Sequence, residues 1–305
     1  MANVFGSDNK IYQAFGEALA QNTAAFAKAG RVVTGEAGTF YAGGTAAGGL
    51  AATLATTATS LSATDISTFE ASVQTVHKVV KHTTTREAFM RDYNMNESAI
   101  ARTLADAVTV SLNKDYFDYC EGLFAAAHPR AGTGAFQVGA SKKYIDTGLK
   151  YLNGEGGEGT QANLLTAALS ATALDSAIQL LNKYKSDRGI PLHLGLSGGL
   201  TLVVSPKNRR LALQLMGSAV DSSNLQLNVF QGDIGSVVVW NLTTDDDDWF
   251  LIDQANAPVG MYISQLPSLM INPSDDGLFV HMVAEYSAVP FKLPTEAGIV
   301  GSNVA

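Results

Sequence analysis

Apolar side chains recur at three- to four-residue spacing in several parts of the chain, which predicts amphipathic helices. The strongest signal runs from about Asn96 to Ala127, where an apolar residue recurs every four positions. At 1.5 Å per residue this helix would be about 45 Å long, enough to serve as a spine for other elements. Shorter helices are predicted at residues 11–28, at Thr172–Ser186 with Thr172 and Asp175 as a capping box, and after Ser205 with Pro206 as its first residue.

Strands are predicted where apolar and polar residues alternate or where apolar runs are short and continuous. Alternation begins at Phe69 and continues through His77, among many β-branched residues. We expect this segment to form a long two-stranded arm with the chain that precedes it. Further strands are predicted at residues 200–205, 236–242, 249–253, 260–266 and 278–289. The order of helices and strands predicts a mixed α+β fold without internal repeats.

Four consecutive aspartates, Asp245–Asp248, stand between two of these strands. Aspartate stabilises turns by bonding to its own backbone, and mutual repulsion favours an exposed position. We therefore interpret the run as the tip of a β-hairpin. A weak cation site is the alternative, although a Ca²⁺ loop needs regularly spaced oxygen ligands and a glycine at its tight turn.

Composition and charge narrow the class of protein. The 305 residues are 46% hydrophobic and only 16% charged, with a formal net charge of −8. Such a low fraction of charged residues is consistent with a subunit of an extensive assembly, in which neighbouring subunits cover much of the surface. Nucleic-acid binding rests largely on Lys and Arg neutralising phosphates, and here these residues form no dense cluster. If such a protein interacts with DNA, we expect it to enclose the DNA rather than to bind it tightly.

The single cysteine, Cys120, excludes an intramolecular disulfide framework and suits a reducing compartment. Its apolar, helical surroundings predict a small buried thiol. The N-terminus lacks the features of a signal peptide. Residues 40–64 carry no charge, but their Ala, Gly, Thr and Ser content contributes too little to membrane insertion. We expect a soluble, unexported protein with no membrane contact.

Three features of the sequence bear on catalysis or ligand binding. Residues 195–199 fit G-x-S-x-G around Ser197, but a nucleophile elbow follows a strand, whereas this motif precedes one. Residues 154–159 fit G-x-G-x-x-G, yet their two glutamates would repel a pyrophosphate. The five histidines and one cysteine show no zinc-site spacing. We expect no enzymatic activity, no cofactor and no metal.

The order of elements resembles that of the major capsid proteins of tailed bacteriophages, which have the HK97-like fold. "LTLVVSPKNRRLALQLMGSA" (200–219) is similar to that family's buried strand and capped helix. Residues 228–290 resemble its strand, acidic turn, Trp/Tyr-rich strand and closing strands. "FEASVQTVHKVVKHTTTREAFMRD" (69–92) resembles the return of its extended loop into the spine helix. Within the family the likeness is greatest to the head subunits of Mu-like phages.

The resemblance implies five regions with distinct positions in a capsid subunit. They are an N-terminal arm at 1–35, an extended loop at 36–93, a peripheral domain with the spine helix at 94–164, an axial domain at 165–258, and closing strands with a C-terminal tail at 259–305. The arm and the loop would reach onto neighbouring subunits. Some relatives cross-link through a loop lysine, but no residue match extends that chemistry to Lys78 or Lys81.

The implied function is that of a major capsid protein, located in the virion and assembled in the host cytoplasm. Such a subunit forms hexamers and pentamers that close into an icosahedral shell around double-stranded DNA, without sequence-specific binding. Separate scaffolding, portal and decoration proteins are implied partners; scaffolding, if needed, would be a separate protein because no such domain precedes the arm. Five apolar side chains are expected to be buried only on assembly: Phe15, Phe69, Val73, Val76 and Val79.

Three rival functions remain open from the sequence, one of them a plain soluble α+β enzyme without a recognisable motif. An encapsulin-type compartment shares the fold but holds an enzyme, and nuclease-protected DNA in native particles would exclude it. A serine hydrolase that uses Ser197 belongs to another class, and a fluorophosphonate probe would label that residue.

Overall fold

A computed structural model describes most of the chain. The described residues are 5–21, 25–36, 39–46, 67–91, 96–133, 137–152, 158–186, 189, 191–196, 199–217, 230–240 and 246–304. The helices are α1 (Phe5–Gln21), α2 (Phe26–Ala29), α3 (Arg86–Arg91), α4 (Asn96–Gly122), α5 (Ala171–Lys183), α6 (Arg209–Gly217) and α7 (Phe230–Asp233).

The strands form two larger sheets and two short ribbons. They are β1 (Arg31–Thr34), β2 (Thr39–Ala46), β3 (Ser67–Gln74), β4 (Val76–Thr85), β5 (Leu149–Leu152), β6 (Glu158–Gln161), β7 (Leu164–Leu165), β8 (Leu200–Val204), β9 (Ile234–Val239), β10 (Trp249–Asp253), β11 (Val259–Pro273), β12 (Phe279–Lys292) and β13 (Ile299–Ser302). Strands β2 and β3 form one ribbon, and β5 and β6 form the other.

The spine helix α4 packs on a four-stranded sheet. Its 27 residues give a length of about 40 Å at 1.5 Å per residue. The buried face of α4 includes Leu104, Val108, Leu112 and Tyr116, which are four residues apart, as the sequence pattern predicts. The sheet has the order β1-β11-β12-β4. Tyr286 of β12 reaches the helix, where its hydroxyl lies 2.7 Å from the Ser111 hydroxyl.

The second sheet has the order β7-β13-β10-β8-β9, and its three central strands are buried on both faces. Every residue of β8 and β10 is buried. Phe250 and Ile252 face the apolar cluster around α4, which we call the first core. Trp249 and Leu251 face a second core that includes α5 and α6. Burial on both sides explains why these strands are continuous apolar runs rather than alternating ones.

The predicted two-stranded arm is confirmed as the antiparallel ribbon of β2 and β3, with Thr39 opposite Gln74 and Ala46 opposite Ser67. The buried strand at 200–205 and the strand at 249–253 are confirmed as β8 and β10. The closing strands are longer than predicted, because β11 and β12 pair over most of their length.

Several predicted helix ends were wrong for local reasons. The segment 11–28 forms two helices, and the backbone N–H at the start of α2 donates to the Asn113 side chain of α4. Helix α4 ends at Gly122 rather than near Ala127. Helix α5 is capped by Ser170, whose hydroxyl accepts from the Ala173 backbone N–H.

The Thr172 and Asp175 capping box is therefore wrong. Both residues lie inside α5, where Asp175 accepts a hydrogen bond from Gln179. Ser170 has extended backbone angles, so its side chain can reach the free amides of the first turn. The predicted Ser205 cap with Pro206 as the first helical residue is also wrong: α6 begins at Arg209, and residues 206–208 form a turn in which the Ser205 hydroxyl accepts from the Asn208 backbone N–H at 3.4 Å.

Candidate assembly surface

The ribbon of β2 and β3 continues through Thr75 into β4, so one extended segment runs from the ribbon into the four-stranded sheet. At the base of the ribbon, Val73 packs against Tyr262 and Phe291. The Tyr262 hydroxyl donates to the Glu36 carbonyl at 2.8 Å and so fixes the chain just before β2. The ribbon is therefore tied to the sheet at both of its strands.

Strand β4 is the edge of the four-stranded sheet among the described strands. Its ten residues pair with β12 on one side, from Val76 opposite Ala288 to Thr85 opposite Phe279. Burial alternates along β4 between half-buried and exposed side chains. A long edge strand offers unpaired backbone groups to an incoming chain, so β4 is a candidate contact surface.

The five predicted assembly residues differ in exposure. Val76 and Val79 are each 51% exposed, which is high for valine, and Val73 is half-buried. Phe69 lies opposite Gly44 in the ribbon, and its side chain is outside the described residues. Phe15 is only 4% exposed because α1 packs it into the first core. The expectation that Phe15 becomes buried only on assembly is therefore wrong.

Lys78 of β4 is held by the spine helix. Its ammonium lies 2.6 Å from both carboxylate oxygens of Asp115. The pair is partly exposed, so its contribution to stability is small, about 0.5–1 kcal/mol. Lys81 is exposed on the other face of the strand. Of the two loop lysines, Lys78 is therefore paired with a carboxylate of the spine helix, whereas Lys81 is exposed.

The acidic run is not the tip of a hairpin. Strands β9 and β10 both pair with β8, on its opposite sides. The two strands are therefore not the partners of one hairpin. Asp245 lies outside the described residues, but Asp248 is 1% exposed rather than at an exposed tip. The hairpin interpretation failed because β9 pairs with β8 in parallel, which local sequence patterns do not show.

The described aspartates of this run bind groups of the protein itself. The Asp246 carbonyl accepts hydrogen bonds from the side chains of Ser205 and Asn208. Asp247 lies 2.8 Å from the Lys207 ammonium. Asp248 accepts a hydrogen bond from the Val304 backbone N–H at 3.2 Å. These contacts hold residues 246–248 against the segment that precedes α6 and against the chain after β13.

The structure does not describe the central residues of the two glycine-rich motifs. Ser197 and residues 153–157 lie outside the described residues. Strand β8 does follow the G-x-S-x-G segment, as the sequence analysis expected. The His281 imidazole contacts the Thr83 hydroxyl at 3.0 Å. Within the described ranges, no group of three His, Cys, Asp or Glu side chains could hold a metal ion.

Cys120 is buried in α4, as predicted, and 1% exposed. Burial raises the pKa of its thiol to about 12, so the thiol stays protonated and unreactive at neutral pH. None of the described helices is long and apolar enough to cross a membrane.

Sequence reasoning missed a buried cluster around Glu296, which we call the Glu296 cluster. It consists of Glu296, His128, Arg130 and Tyr184, all buried. His128 and Arg130 contact one carboxylate oxygen at 2.7 and 3.0 Å, and the Tyr184 hydroxyl donates to the other at 2.5 Å. Glu296 is more than 100 residues from each of its three partners in sequence, so no local motif could have revealed the cluster.

Two opposing effects act on the Glu296 carboxyl. Burial raises its pKa, but the contacts with His128, Arg130 and Tyr184 outweigh burial and hold the pKa well below the ordinary value. Burial, together with the neighbouring carboxylate, raises the pKa of Tyr184. Glu296 is therefore ionised and Tyr184 is a stable donor at neutral pH.

Comparison with solved structures defines the fold class as that of capsid shells. The capsid of a native GTA particle matches with a TM-score of 0.59 at 14% identity, covering 93% of this chain and 90% of that one. Microbacterium phage Oxtober96 matches with 0.55 at 10% identity, covering 92% and 91%. A virus-like particle from Pyrococcus furiosus matches with 0.54 at 10% identity, covering 97% and 98%. The chain thus has the α+β, HK97-like capsid fold.

The sequence also matches the family model described as phage capsid protein over residues 71–277. That range is more than half of the chain, so the chain belongs to the phage capsid protein family. It is a phage major capsid protein and a structural component of the virion shell, and the match favours this role over an encapsulin-type compartment. No curated protein sequence matches the chain. The finer likeness to Mu-like head subunits stays a prediction.

Proposed function

We propose that this capsid protein forms hexamers and pentamers that close into an icosahedral shell around double-stranded DNA. The observation that carries the proposal is the position of β4 at the edge of its sheet among the described strands, with the ribbon of β2 and β3 leading into it. Half-exposed Val76 and Val79 supply apolar area on that edge strand. Many modest contacts repeated by symmetry are enough to build a closed shell.

We assign the five regions of the chain to positions in the shell. Residues 1–35 are the N-terminal arm, 36–93 the extended loop, 94–164 the peripheral domain, 165–258 the axial domain, and 259–305 the closing strands and tail. The grouping of α5, α6, β8, β9 and β10 around the second core supports the axial domain. Strand β13 of the tail pairs with β10, so the tail contributes a strand to the axial sheet.

The assembly contacts that we retain are Phe69, Val73, Val76 and Val79. Val73 covers Tyr262 and Phe291 within its own chain, so it positions the ribbon as well as offering a surface. Val76 and Val79 lie on opposite faces of β4, since the strand alternates. A neighbouring subunit that binds along the edge of β4 would therefore contact both valine side chains.

The protein acts in this proposal without catalysis, cofactor or metal. Its net charge of −8 disfavours adhesion of the enclosed DNA to the shell wall, because both carry negative charge. Scaffolding, portal and decoration proteins are separate partners, and assembly takes place in the host cytoplasm.

The test is electron microscopy of the protein purified from its native source, with nucleic acid assayed after nuclease treatment. We expect closed shells with five- and sixfold capsomers and protected double-stranded DNA. Closed shells that hold a protein cargo and no DNA would point to a compartment instead. Monomers or small oligomers that react with a fluorophosphonate at Ser197 would contradict the proposal.

A further inference from the structure

Residues 26–36 connect the first core to the ribbon, and we call them the linking segment. They contain α2 and β1, and only Gly30 lies between these two elements. Helix α2 contacts the spine helix and strand β8 of the five-stranded sheet. Strand β1 pairs with β11 of the four-stranded sheet. The linking segment therefore touches both sheets before the chain enters the ribbon.

Two buried side chains hold α2 from opposite sides. The Phe26 backbone N–H donates to the side-chain oxygen of Asn113 on α4 at 3.1 Å. The Thr201 hydroxyl of β8 donates to the Lys28 carbonyl at 2.8 Å, and Thr201 is only 1% exposed. Because a hydroxyl has one proton, the Ser236 hydroxyl of β9, 2.8 Å away, must donate to Thr201 rather than accept from it. Thr201 therefore uses its single proton to bind the linking segment.

The joint between α2 and β1 is closely packed. The Gly30 backbone N–H donates to the Phe26 carbonyl at 2.8 Å and closes the helix. A Cβ at Gly30 would lie 2.6 Å from two ring atoms of Tyr116, so the backbone lies directly on this ring. Tyr116 is fully buried in the first core. Because a close-packed interior leaves little free space, α2 and β1 have no room to pivot independently at this joint.

The far end of the linking segment is held by β11. Beyond the parallel pairing of β1, the Gly35 backbone N–H donates to the Ile263 carbonyl at 3.2 Å. The Tyr262 hydroxyl donates to the Glu36 carbonyl at 2.8 Å. Strand β2 of the ribbon begins shortly afterwards, at Thr39. The base of the ribbon is thus connected to β8 through one short stretch of backbone that is bound at both ends.

From this arrangement we propose that the linking segment opens and closes as one cooperative unit, so that the attachment of α2 to β8 and the attachment of the ribbon base to β11 are lost together. Local opening in proteins takes place in such contiguous units, and closely packed elements with two discrete arrangements transmit coupling. The coupling belongs to the single chain. Its use in a shell rests on the proposed function: a neighbour that binds the ribbon would also stabilise the contact with β8, and the effect would be reciprocal.

Hydrogen exchange with mass spectrometry on the full-length, unassembled protein tests the coupling. Thr201→Val keeps the side-chain shape but removes the donor to the Lys28 carbonyl. We expect exchange about fivefold faster at residues 26–30 and, equally, at residues 31–36, because loss of one hydrogen bond shifts the opening of the whole unit. Thr109→Val is the matched control, since it removes a hydroxyl bonded to the Ala105 carbonyl within α4, and it should leave both ranges unchanged. Faster exchange that stops at Gly30 would overturn the proposal.

A second variant tests the same coupling from the opposite end. Tyr262→Phe removes the donor to the Glu36 carbonyl and should accelerate exchange at residues 26–30 by a similar factor, although it touches only the ribbon base. Tyr151→Phe is its matched control, because it removes a hydroxyl that binds the Lys185 ammonium on β5. Unchanged exchange at 26–30 in Tyr262→Phe, or an equal change in Tyr151→Phe, would refute the coupling. If Thr201→Val does not fold, Tyr262→Phe decides. These outcomes are independent of shell formation, since unassembled chains are compared.

Discussion

At the residue scale, the cost of burying charge explains why Glu296 needs so many partners. An isolated buried carboxylate would take up a proton, whereas here a guanidinium, an imidazole and a phenol all bind it. Such a cluster stabilises the fold only while it is complete, because each remaining member would otherwise be buried without compensation.

Replacing Glu296 by Gln should therefore destabilise the protein by about 3 kcal/mol, because the buried Arg130 loses its ion pair with Glu296 and the Tyr184 hydroxyl loses a charged acceptor. Urea unfolding followed by the fluorescence of the buried Trp249 measures the change. Lys114→Gln is the matched control, since it breaks the exposed Lys114–Asp118 pair and should leave the midpoint unchanged. Equal stability of both variants would mean that the buried cluster contributes nothing.

Lys78 and Lys81 should differ in reactivity although they are three residues apart on β4. Acetic anhydride should label Lys81 at least about threefold faster, because the Asp115 pair holds the Lys78 ammonium with about 0.5–1 kcal/mol. Peptide mass spectrometry after brief labelling measures both rates. In Asp115→Asn the Lys78 rate should approach that of Lys81, and equal rates in the unmodified protein would contradict the pairing.

At this scale the sequence predicted burial where a residue follows a regular pattern. Cys120 and the α4 residues at four-residue spacing are buried as expected. Phe15 follows the pattern of α1 equally well, yet its partner surface belongs to its own chain, which periodicity does not reveal. The Glu296 cluster could not be predicted, because single charged residues in unrelated segments carry no local signal.

At the scale of elements, pattern determines which segments are strands, and long-range packing determines how they pair. The bounds of β8 and β10 follow from apolar runs. Their order does not, because β9 could pair with β10 as a hairpin or with β8 in parallel. The register of β1 with β11 is likewise set by close packing, since Gly260 brings the Arg31 carbonyl within the space that a side chain would need.

Gly260→Ala should weaken the attachment of β1. The added Cβ would lie 2.4 Å from the Arg31 carbonyl and 2.8 Å from the Phe291 ring, and overpacking of this kind costs about 1–3 kcal/mol. Urea unfolding measures the loss. Gly16→Ala in α1, where a Cβ meets nothing within 4 Å, should instead stabilise by about 0.5–1 kcal/mol. A Gly260→Ala protein as stable as the parent would show that β1 does not pack as described.

At the scale of the whole molecule, two sheets share the first core and the five-stranded sheet separates it from the second. This layered arrangement follows from the fold class, which the resemblance to phage capsid proteins predicted and the family match confirmed. Local sequence patterns do not predict the full length of β11 and β12 or the position of β13, because both depend on partners that are distant in sequence.

Val79→Asp should prevent shell formation while leaving the subunit folded, because it places a charge on the edge strand that we propose as an assembly contact. Val110→Asp is the matched control: Val110 is 55% exposed on α4 and lies outside the proposed contacts, so shells should still form. Sedimentation and electron microscopy measure assembly, and circular dichroism checks folding. If the Val79→Asp variant formed normal shells, the assignment of β4 to the assembly surface would be wrong.

The place of β13 between β7 and β10 has a consequence for biosynthesis. Residues 299–302 complete the interior of a sheet whose other strands leave the ribosome much earlier. Until they emerge, the facing edges of β7 and β10 have no partner and the apolar faces of β10 lack part of their cover. This sheet therefore closes only after all its other strands have been synthesised, and a nascent chain stalled before residue 299 would expose a gap that chaperones or a neighbouring strand could fill.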